Sequence, residues 1–213
     1  MSTSRLPALR TSAHLASLHG DVAAARALLS TVVTEAESAG DFHELRLALQ
    51  VEGLLELSLG KADSALRPLK RARQIAERMA IAEPTTLTFM LDEVEAHALV
   101  GDAASATAVL MAFDRRSDGD RSVWIGPLVL RARGLVEAAT HDVETARATL
   151  EDAVAAEPDL PLPFERARTR LALGRVLSRL QQRSCARSEL EDALARFEEL
   201  GALLWAARAR EEL

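Results

Sequence analysis

A short turn-like segment recurs along this chain at a nearly constant spacing. The turns are centred on positions 20, 60, 101, 141 and 181, so successive steps are 40, 41, 40 and 40 residues. A fixed period of this length is typical of chains that stack one small unit many times, because a single unit cannot bury its apolar face alone. The period therefore predicts a solenoid of stacked units.

The same residue types recur at fixed distances from each turn. Alanine stands five residues and leucine nine residues after every turn, and a small residue stands seven residues before four of the five. Two facing small residues let helix backbones approach closely, and the leucine fills the adjoining groove. We therefore expect two antiparallel helices per unit. The predicted packing positions are Ala13, Ala25, Leu29, Gly53, Ala65, Leu69, Ala106, Leu110, Gly134, Ala146, Leu150, Gly174, Ala186 and Leu190.

Caps and breakers set the predicted limits of the helices. Asp21, Asp102 and Asp142 follow turns directly and can cap the second helix of a pair. Breakers such as Gly40 and Gly201 fall between pairs. The predicted helices are 5–18 and 21–39, 42–58 and 62–80, 85–100 and 103–116, 122–139 and 142–157, 163–180 and 183–200, and a last helix at 202–213.

Composition and charge narrow the function classes. The chain is 48% apolar but only 3% aromatic, and alanine and leucine dominate, as in helical proteins. A formal charge of −6 argues against a general nucleic-acid or anionic-membrane surface. Residues 1–10 lack the apolar stretch of a signal peptide, and no apolar run approaches the roughly 20 residues that span a bilayer. We expect a cytoplasmic location.

The repeats carry part of a known signature. The fifth unit reads Leu173-Gly174-x2-Leu177 followed by Ala186-x3-Leu190, and the fourth contains Gly134 and Ala146-x3-Leu150. This spacing resembles the tetratricopeptide (TPR) signature, with leucine in place of its aromatic residues. The resemblance implies an all-α solenoid of about five antiparallel helix pairs plus a C-terminal capping helix. HEAT-like pairs are the structural alternative, because the period exceeds the usual 34 residues of TPR units.

The domain organisation follows from the same repeat. We expect one TPR-like domain over residues 1–213, with a capping helix at 202–213 that contains Trp205. The ring of Trp205 is predicted to pack near Leu194 and Phe197, because a terminal unit needs a cover for its apolar face. The predicted repeats are about 5–40, 41–82, 84–118, 121–158 and 162–200.

Three segments, 131–139, 162–175 and 195–213, resemble the region before the DNA-binding domain of large ATP-binding LuxR-type (MalT-like) bacterial transcriptional regulators. In that family a helical sensor stands between a nucleotide-binding module and a helix-turn-helix domain. This sequence has no Gly-x4-Gly-Lys-Ser/Thr loop and ends at Leu213, so neither ATP hydrolysis nor DNA binding is carried over. A fragment of a regulator and a free-standing relative of its sensor both fit.

No motif predicts catalysis. His43-Glu44 does not continue as a zinc-protease motif, because Leu47 occupies the position of the second histidine. Cys185 precedes Ala186 and is expected to be a core thiol, and carboxylate pairs such as Asp92-Glu93 are assigned to charged helix faces. We therefore expect no enzyme activity, no catalytic residue, no metal site and no cofactor.

Basic residues at helical spacing suggest a different kind of site. If the first helices of the pairs line a concave groove, their basic side chains form a strip that holds a carboxylate or phosphate. The alternative is a solvated face that pairs with neighbouring glutamates, and the complete lack of asparagine excludes the carboxylate clamp of chaperone-binding TPR proteins. The candidate groove contacts are Arg10, His14, Arg131, Arg168, Arg175 and Arg179.

Two functions remain open at this point. The first is a sensor that binds a small-molecule effector or a regulator, and the second is a scaffold that docks a peptide or a second copy of the chain. Self-association is expected through the first unit, which has no preceding neighbour to cover its apolar side chains. Those side chains are Leu6, Leu9, Leu15, Val32 and Val33.

Overall fold

The computed structural model describes residues 5–117, 124–156 and 162–213. These residues form eleven α-helices, one 3-10 turn at Pro84–Leu87, and no β-strand. The helices are α1 (Leu6–Leu18), α2 (Val22–Ala39), α3 (Phe42–Ser58), α4 (Ala62–Arg78), α5 (Phe89–Leu99), α6 (Ala103–Ser117), α7 (Gly126–Ala139), α8 (Val143–Ala155), α9 (Pro163–Arg179), α10 (Arg183–Glu199) and α11 (Leu203–Glu211).

The helices form two layers. Each odd-numbered helix from α1 to α9 packs against the even-numbered helix that follows it, and each one from α1 to α7 also contacts the next odd-numbered helix. The odd-numbered helices therefore form an inner layer and the even-numbered helices an outer layer, as in a stack of helix pairs. The predicted all-α solenoid of five pairs with a terminal helix is confirmed.

The contact between the helices of a pair depends on glycine and leucine. A Cβ added to Gly134 would lie only 2.6 Å from Cγ of Leu150 and 3.3 Å from the backbone oxygen of Ala146. Gly174 has the same relation to Leu190, at 2.6 Å. The leucine of the second helix thus sits directly over the glycine of the first. All ten repeat alanines and leucines predicted after the turns are buried.

Tight turns join the helices of a pair. The predicted caps are present: a side-chain oxygen of Asp21 accepts from the backbone N–H of Ala24 at 3.0 Å, and Asp102 and Asp142 bond in the same way. Gly20 has a φ of 82°, in the left-handed region that glycine adopts most easily. His141 has a φ of 68° at the corresponding position of the fourth turn, so the turn geometry persists without glycine.

The last helix joins the two ends of the solenoid. The ring of Trp205 in α11 is buried, with its centroid 5.8 Å from that of Phe197 and 5.7 Å from that of Phe164. Helix α11 also contacts α1 and α3, and Nη1 of Arg208 donates to the backbone oxygen of Leu57 at 2.7 Å. The superhelix therefore closes on itself, and α11 covers the fifth pair while it touches the first two.

Several expectations about individual side chains are wrong. Cys185 is exposed, because it precedes Ala186 by one position and so points away from the inter-helix contact. In the first unit, Leu6 and Val32 are buried within the fold, so they offer no surface for self-association, whereas Leu15 is half exposed. Glu93 is fully buried and bonds Arg73 at 2.8 Å, so it does not belong to a solvated charged face.

Two predicted helix starts also differ from the structure. The third pair begins with the 3-10 turn at Pro84–Leu87, and α5 follows only at Phe89. Helix α7 begins at Gly126, next to Pro127, whose ring suits the first turn of a helix. Positions 122 and 157, the predicted start and end of the fourth pair, lie outside the described residues, as does Pro158.

Candidate functional site: a pocket over a buried ion-pair cluster

Arg168 of α9 lies at the centre of a buried cluster of charges. Its Nη2 donates to Oδ1 of Asp92 and to Oε2 of Glu95, both in α5 and both at 2.7 Å. Its Nη1 also lies 3.3 Å from Oε2 of Glu165, one turn earlier in α9. A single guanidinium therefore ties the inner helix of the third pair to that of the fifth.

Helix α7 joins this cluster through Arg131. Its Nη2 lies 2.6 Å from Oε2 of Glu165, and its Nη1 donates to the backbone oxygen of Glu165 at 3.2 Å. The side chains of Arg131 and Arg168 are only 4% and 3% exposed. The ion-pair cluster, defined as Asp92, Glu95, Arg131, Glu165 and Arg168, thus links the inner helices of three consecutive pairs.

Aromatic rings cover the cluster on the side of α11. The guanidinium carbon of Arg168 lies 4.8 Å from the ring centroid of Trp205 and 5.9 Å from that of Phe164. Arg208 stands 5.1 Å from the same indole ring. Cations at these distances are attracted by the ring face, more strongly where water is excluded. Trp205 is therefore both an apolar cap and an electrostatic neighbour of Arg168.

Glu95 and Arg168 keep their charges in spite of burial. Burial alone would raise the pKa of Glu95, but the guanidinium groups of Arg168, Arg131 and Arg208 outweigh it and hold that pKa at about 2. Burial likewise opposes the charge of Arg168, whose pKa nevertheless lies well above its ordinary value because three carboxylates surround it. For Asp92, burial prevails and raises the pKa.

A pocket of about 500 Å³ opens above this cluster, where α5, α7 and α9 begin. Its floor contains four members of the cluster, and its walls are mostly apolar. This volume lies within the roughly 300–1,000 Å³ typical of small-molecule sites. We call it the Trp124 pocket. It is lined by Thr85, Thr88, Leu91, Asp92, Trp124, Ile125, Leu128, Arg131, Leu162, Glu165 and Arg168.

Comparisons with known proteins bear on the fold. No protein-family model and no curated protein matches the chain. A solved structure of a kinesin light chain candidate from Podosopora anserina, with nearly identical TPR-like repeats, superposes with a TM-score of 0.62. It is 18% identical, over 94% of this chain and 99% of that chain. A single-residue variant of the same protein superposes with a TM-score of 0.62. It is 19% identical, over 92% of this chain and 96% of that chain.

This chain has a TPR-like repeat fold. Identity below 20% extends the likeness to the fold and to nothing finer. Whatever the Podosopora protein binds is therefore not transferred to this chain. The function of this TPR-like chain has to be argued from its own side chains.

The TPR-like fold does not bring the six predicted groove contacts into one strip. Arg131 and Arg168 meet in the ion-pair cluster, where both are paired with carboxylates. Nε of Arg10 bonds Glu44 at 3.0 Å, and His14 lies beside it in α1. Burial and the Arg10 guanidinium lower the pKa of His14, which therefore carries no charge at neutral pH.

The remaining two contacts lie at the other end of the inner helices. Nε of Arg175 bonds Oε1 of Glu212 at 2.6 Å, and Nη1 of Arg179 donates to the backbone oxygen of Ala138 at 2.8 Å. Ala138 belongs to the last turn of α7, where backbone oxygens have no partner within the helix. Arg179 therefore caps a neighbouring helix, as Arg208 does for α3.

The residues that sequence reasoning missed are the acidic ones. Asp92, Glu95 and Glu165 contribute as much to the site as the arginines, and Trp124 forms one wall of the pocket. One signal was available: Asp92, Glu93 and Glu95 stand within the otherwise apolar stretch Phe89–Leu99. Carboxylates in such a segment are buried only with a partner. Nothing in the sequence identified Arg168 as that partner.

Two further findings concern the described part of the chain. Within it, no group of three or more His, Cys, Asp or Glu side chains is arranged to hold a metal ion. None of its helices combines the length and the apolar character needed to cross a membrane.

Proposed function

We propose that this chain is a non-catalytic sensing module. It binds a small effector in the Trp124 pocket, and the conformation of α11 depends on whether that pocket is occupied. One observation carries the proposal. Arg168 lines the pocket and also stacks on Trp205, so the pocket and the last helix share a side chain. A ligand that moves Arg168 changes the surroundings of α11 directly.

The ion-pair cluster suits this role better than a catalytic one. Its guanidinium and carboxylate groups are fixed to one another at 2.6–3.3 Å, so none stands ready as a nucleophile or a general base. Salt-bridge networks of this kind carry coupling between two sites when they have two discrete arrangements. A ligand with unequal affinity for two such arrangements shifts the population between them.

The resemblance to LuxR-type regulators suggests the larger protein in which such a sensor acts. In that family the helical sensor precedes the DNA-binding domain, so α11 corresponds to the segment through which a signal leaves the repeats. We therefore place the chain in the cytoplasm as the sensor of a regulator, with α11 as its output. A scaffold that docks a peptide on another surface is the alternative that the experiment separates.

The test measures ligand binding in the pocket together with hydrogen exchange in α11. A panel of small compounds with apolar bodies and different head groups is screened by ligand-detected NMR. Hydrogen exchange is then followed in α11, with and without a bound compound. We expect exchange within Leu203–Glu211 to change on binding. The exposed Thr85 lines the pocket, and Thr85→Trp should abolish binding by filling it.

Thr31→Trp is the matched control, because Thr31 is exposed on α2, away from the pocket. It should leave binding unchanged. Binding that survives Thr85→Trp would show that the pocket is not the site. Binding without any change in the exchange of α11 would leave a ligand site but refute the sensing role.

A further inference from the structure

The carboxylate side chains that line the Trp124 pocket are more exposed than its guanidinium side chains. The side chains of Asp92 and Glu165 are 16% and 23% exposed, whereas those of Arg131 and Arg168 are 4% and 3% exposed. Both arginines also direct Nη atoms to carboxylates of the cluster. Among the charged groups of the pocket, the carboxylates are therefore the more accessible ones.

The charge of the ion-pair cluster points in the same direction. It contains three carboxylates, on Asp92, Glu95 and Glu165, and two guanidinium groups, on Arg131 and Arg168. With all five groups ionised, one negative charge is left over within the cluster. Arg208 is the next cation, and its Nη1 is directed to the backbone oxygen of Leu57 at 2.7 Å.

The helix ends at the pocket do not reverse this preference. Helices α5, α7 and α9 begin there, and helix N-termini favour negative charge. Asp92 and Glu165 lie in the first turns of α5 and α9 and already supply that charge. A ligand anion would have to approach these two carboxylates closely.

The walls define the rest of the ligand. Leu91, Ile125, Leu128 and Leu162 form an apolar lining, and Trp124 on the same wall is 48% exposed. A partly exposed indole offers its face to a cation as well as its area to an apolar group. An aromatic wall above accessible carboxylates is the combination that recognises an organic ammonium group.

From these observations, and resting on the proposed function, we infer that the Trp124 pocket takes a small amphipathic amine. Its ammonium head bonds the carboxylate oxygens of Asp92 and Glu165, and its apolar body lies against Trp124 and the leucines. This ligand class is the opposite of the carboxylate or phosphate that the basic residues of the sequence suggested.

The test uses three probes with a common phenyl body: 2-phenylethylamine, 3-phenylpropionate and 2-phenylethanol. Isothermal titration calorimetry at pH 7 measures each against the full chain. We expect the amine to bind at least about tenfold more tightly than the carboxylate, the difference that a charge-assisted hydrogen bond supplies. Asp92→Asn should weaken the amine by about the same factor and leave the alcohol unchanged.

Four further variants keep the test decisive. Asp152→Asn removes an exposed carboxylate of α8 and should change nothing. Trp124→Phe keeps an aromatic wall and should keep amine binding, while Trp124→Ala should weaken all three probes. Because Asp92 bonds Arg168, the melting temperature of Asp92→Asn is measured first. Glu165→Gln replaces it if the fold is lost, with the same expected loss of amine binding.

The outcomes separate this inference from the proposed function. Tighter binding of 3-phenylpropionate, or equal binding of the amine and the alcohol, overturns the amine class and leaves the pocket as a ligand site. Binding of none of the three probes also overturns the amine class. The sensing function is overturned by different results: binding that survives Thr85→Trp, binding without a change in the exchange of α11, or failure of the whole compound panel.

Discussion

The contacts within a helix pair and the contacts between inner helices are built on different principles. Within a pair, an alanine and a leucine recur at every repeat, and in three of the five pairs they face a glycine, as at Gly134, Ala146 and Leu150. Between the inner helices of the third, fourth and fifth pairs, the contact is a cluster of charges. Its central pairs, Arg168 with Asp92 and Glu95, join residues 76 and 73 positions apart.

The repeated apolar contact builds the solenoid, whereas the ion-pair cluster lies where this molecule has its pocket. The apolar contact serves each pair alike, and a sequence of such contacts gives a solenoid. A buried ion pair contributes little net stability over a well-packed apolar pair, but breaking it leaves an unpaired buried charge. The cluster therefore fixes how the third, fourth and fifth pairs stand relative to one another, and it does so where the pocket opens.

Helix α11 uses both kinds of contact, so its removal should give the largest effect. A stop after Gly201 deletes the buried Trp205, exposes Phe164 and Phe197, and removes the ring beside Arg168. Loss of one buried tryptophan side chain typically costs about 3–5 kcal/mol. We expect a larger loss here, seen in thermal melts as a strongly lowered Tm or as aggregation.

A stop after Glu212 is the control, because it removes only Leu213, which is half exposed. It should melt like the full chain. An unchanged melting temperature and unchanged solubility after the stop at Gly201 would refute the capping role of α11.

Arg168→Ala tests the charged contact alone. It leaves Asp92 and Glu95 buried without their main partner, and breaking a buried pair in this way costs about 3–5 kcal/mol. Urea unfolding measures the loss. In Arg147→Ala, which removes an ion pair from the exposed face of α8, the midpoint should not shift. Equal effects of the two variants would mean that burial of the cluster does not matter.

Leu150→Ala tests the repeated apolar contact. Leu150 is fully buried over Gly134, which has no side chain to fill the resulting cavity, so we expect a loss of about 2–5 kcal/mol in urea unfolding. Leu15→Ala makes the same change at a half-exposed position and should be nearly neutral. If both variants unfold alike, the repeated leucine does not hold the pair together.

These two contacts also explain how much the sequence predicts. The repeated contact is local: Gly134 and Ala146 are twelve residues apart across one turn, and the same spacing recurs in other units. Periodicity therefore reveals it, and with it the helices, the turns and the terminal helix. Helix α11 could be expected because a stack of open units has to end on something that covers it.

The charged contact escapes such reasoning for a physical reason. Arg168 and Glu95 meet only because the superhelix curves enough to bring α9 beside α5. The curvature results from small rotations at every repeat and leaves no pattern in the sequence. The sequence left two interpretations of the arginines open, a strip that holds an anion and a face that pairs with neighbouring glutamates. The fold gives carboxylate partners to Arg10, Arg131, Arg168 and Arg175. The prediction for Cys185 was wrong for a different reason, because a shift of one position along a helix turns a side chain from the core to the solvent.

The smallest predicted effect concerns the pH dependence of the charged contact. The folded state holds the pKa of Glu95 at about 2, below its ordinary 4.5, so the unfolded chain binds the proton more readily between these values. The contribution of Glu95 to the free energy of unfolding is therefore fully present above about pH 4.5 and is lost as the pH falls towards 2. A shift of this size corresponds to about 3 kcal/mol. The raised pKa of Asp92 has the opposite effect on stability, because protonation of Asp92 favours the folded state and offsets part of this loss.

Urea unfolding at a series of pH values should show that Glu95→Gln loses less stability in acid than the original chain does. Glu144→Gln, on the exposed face of α8, should keep the original slope. Parallel curves for Glu95→Gln and the original chain would mean that Glu95 does not keep its charge in the folded state.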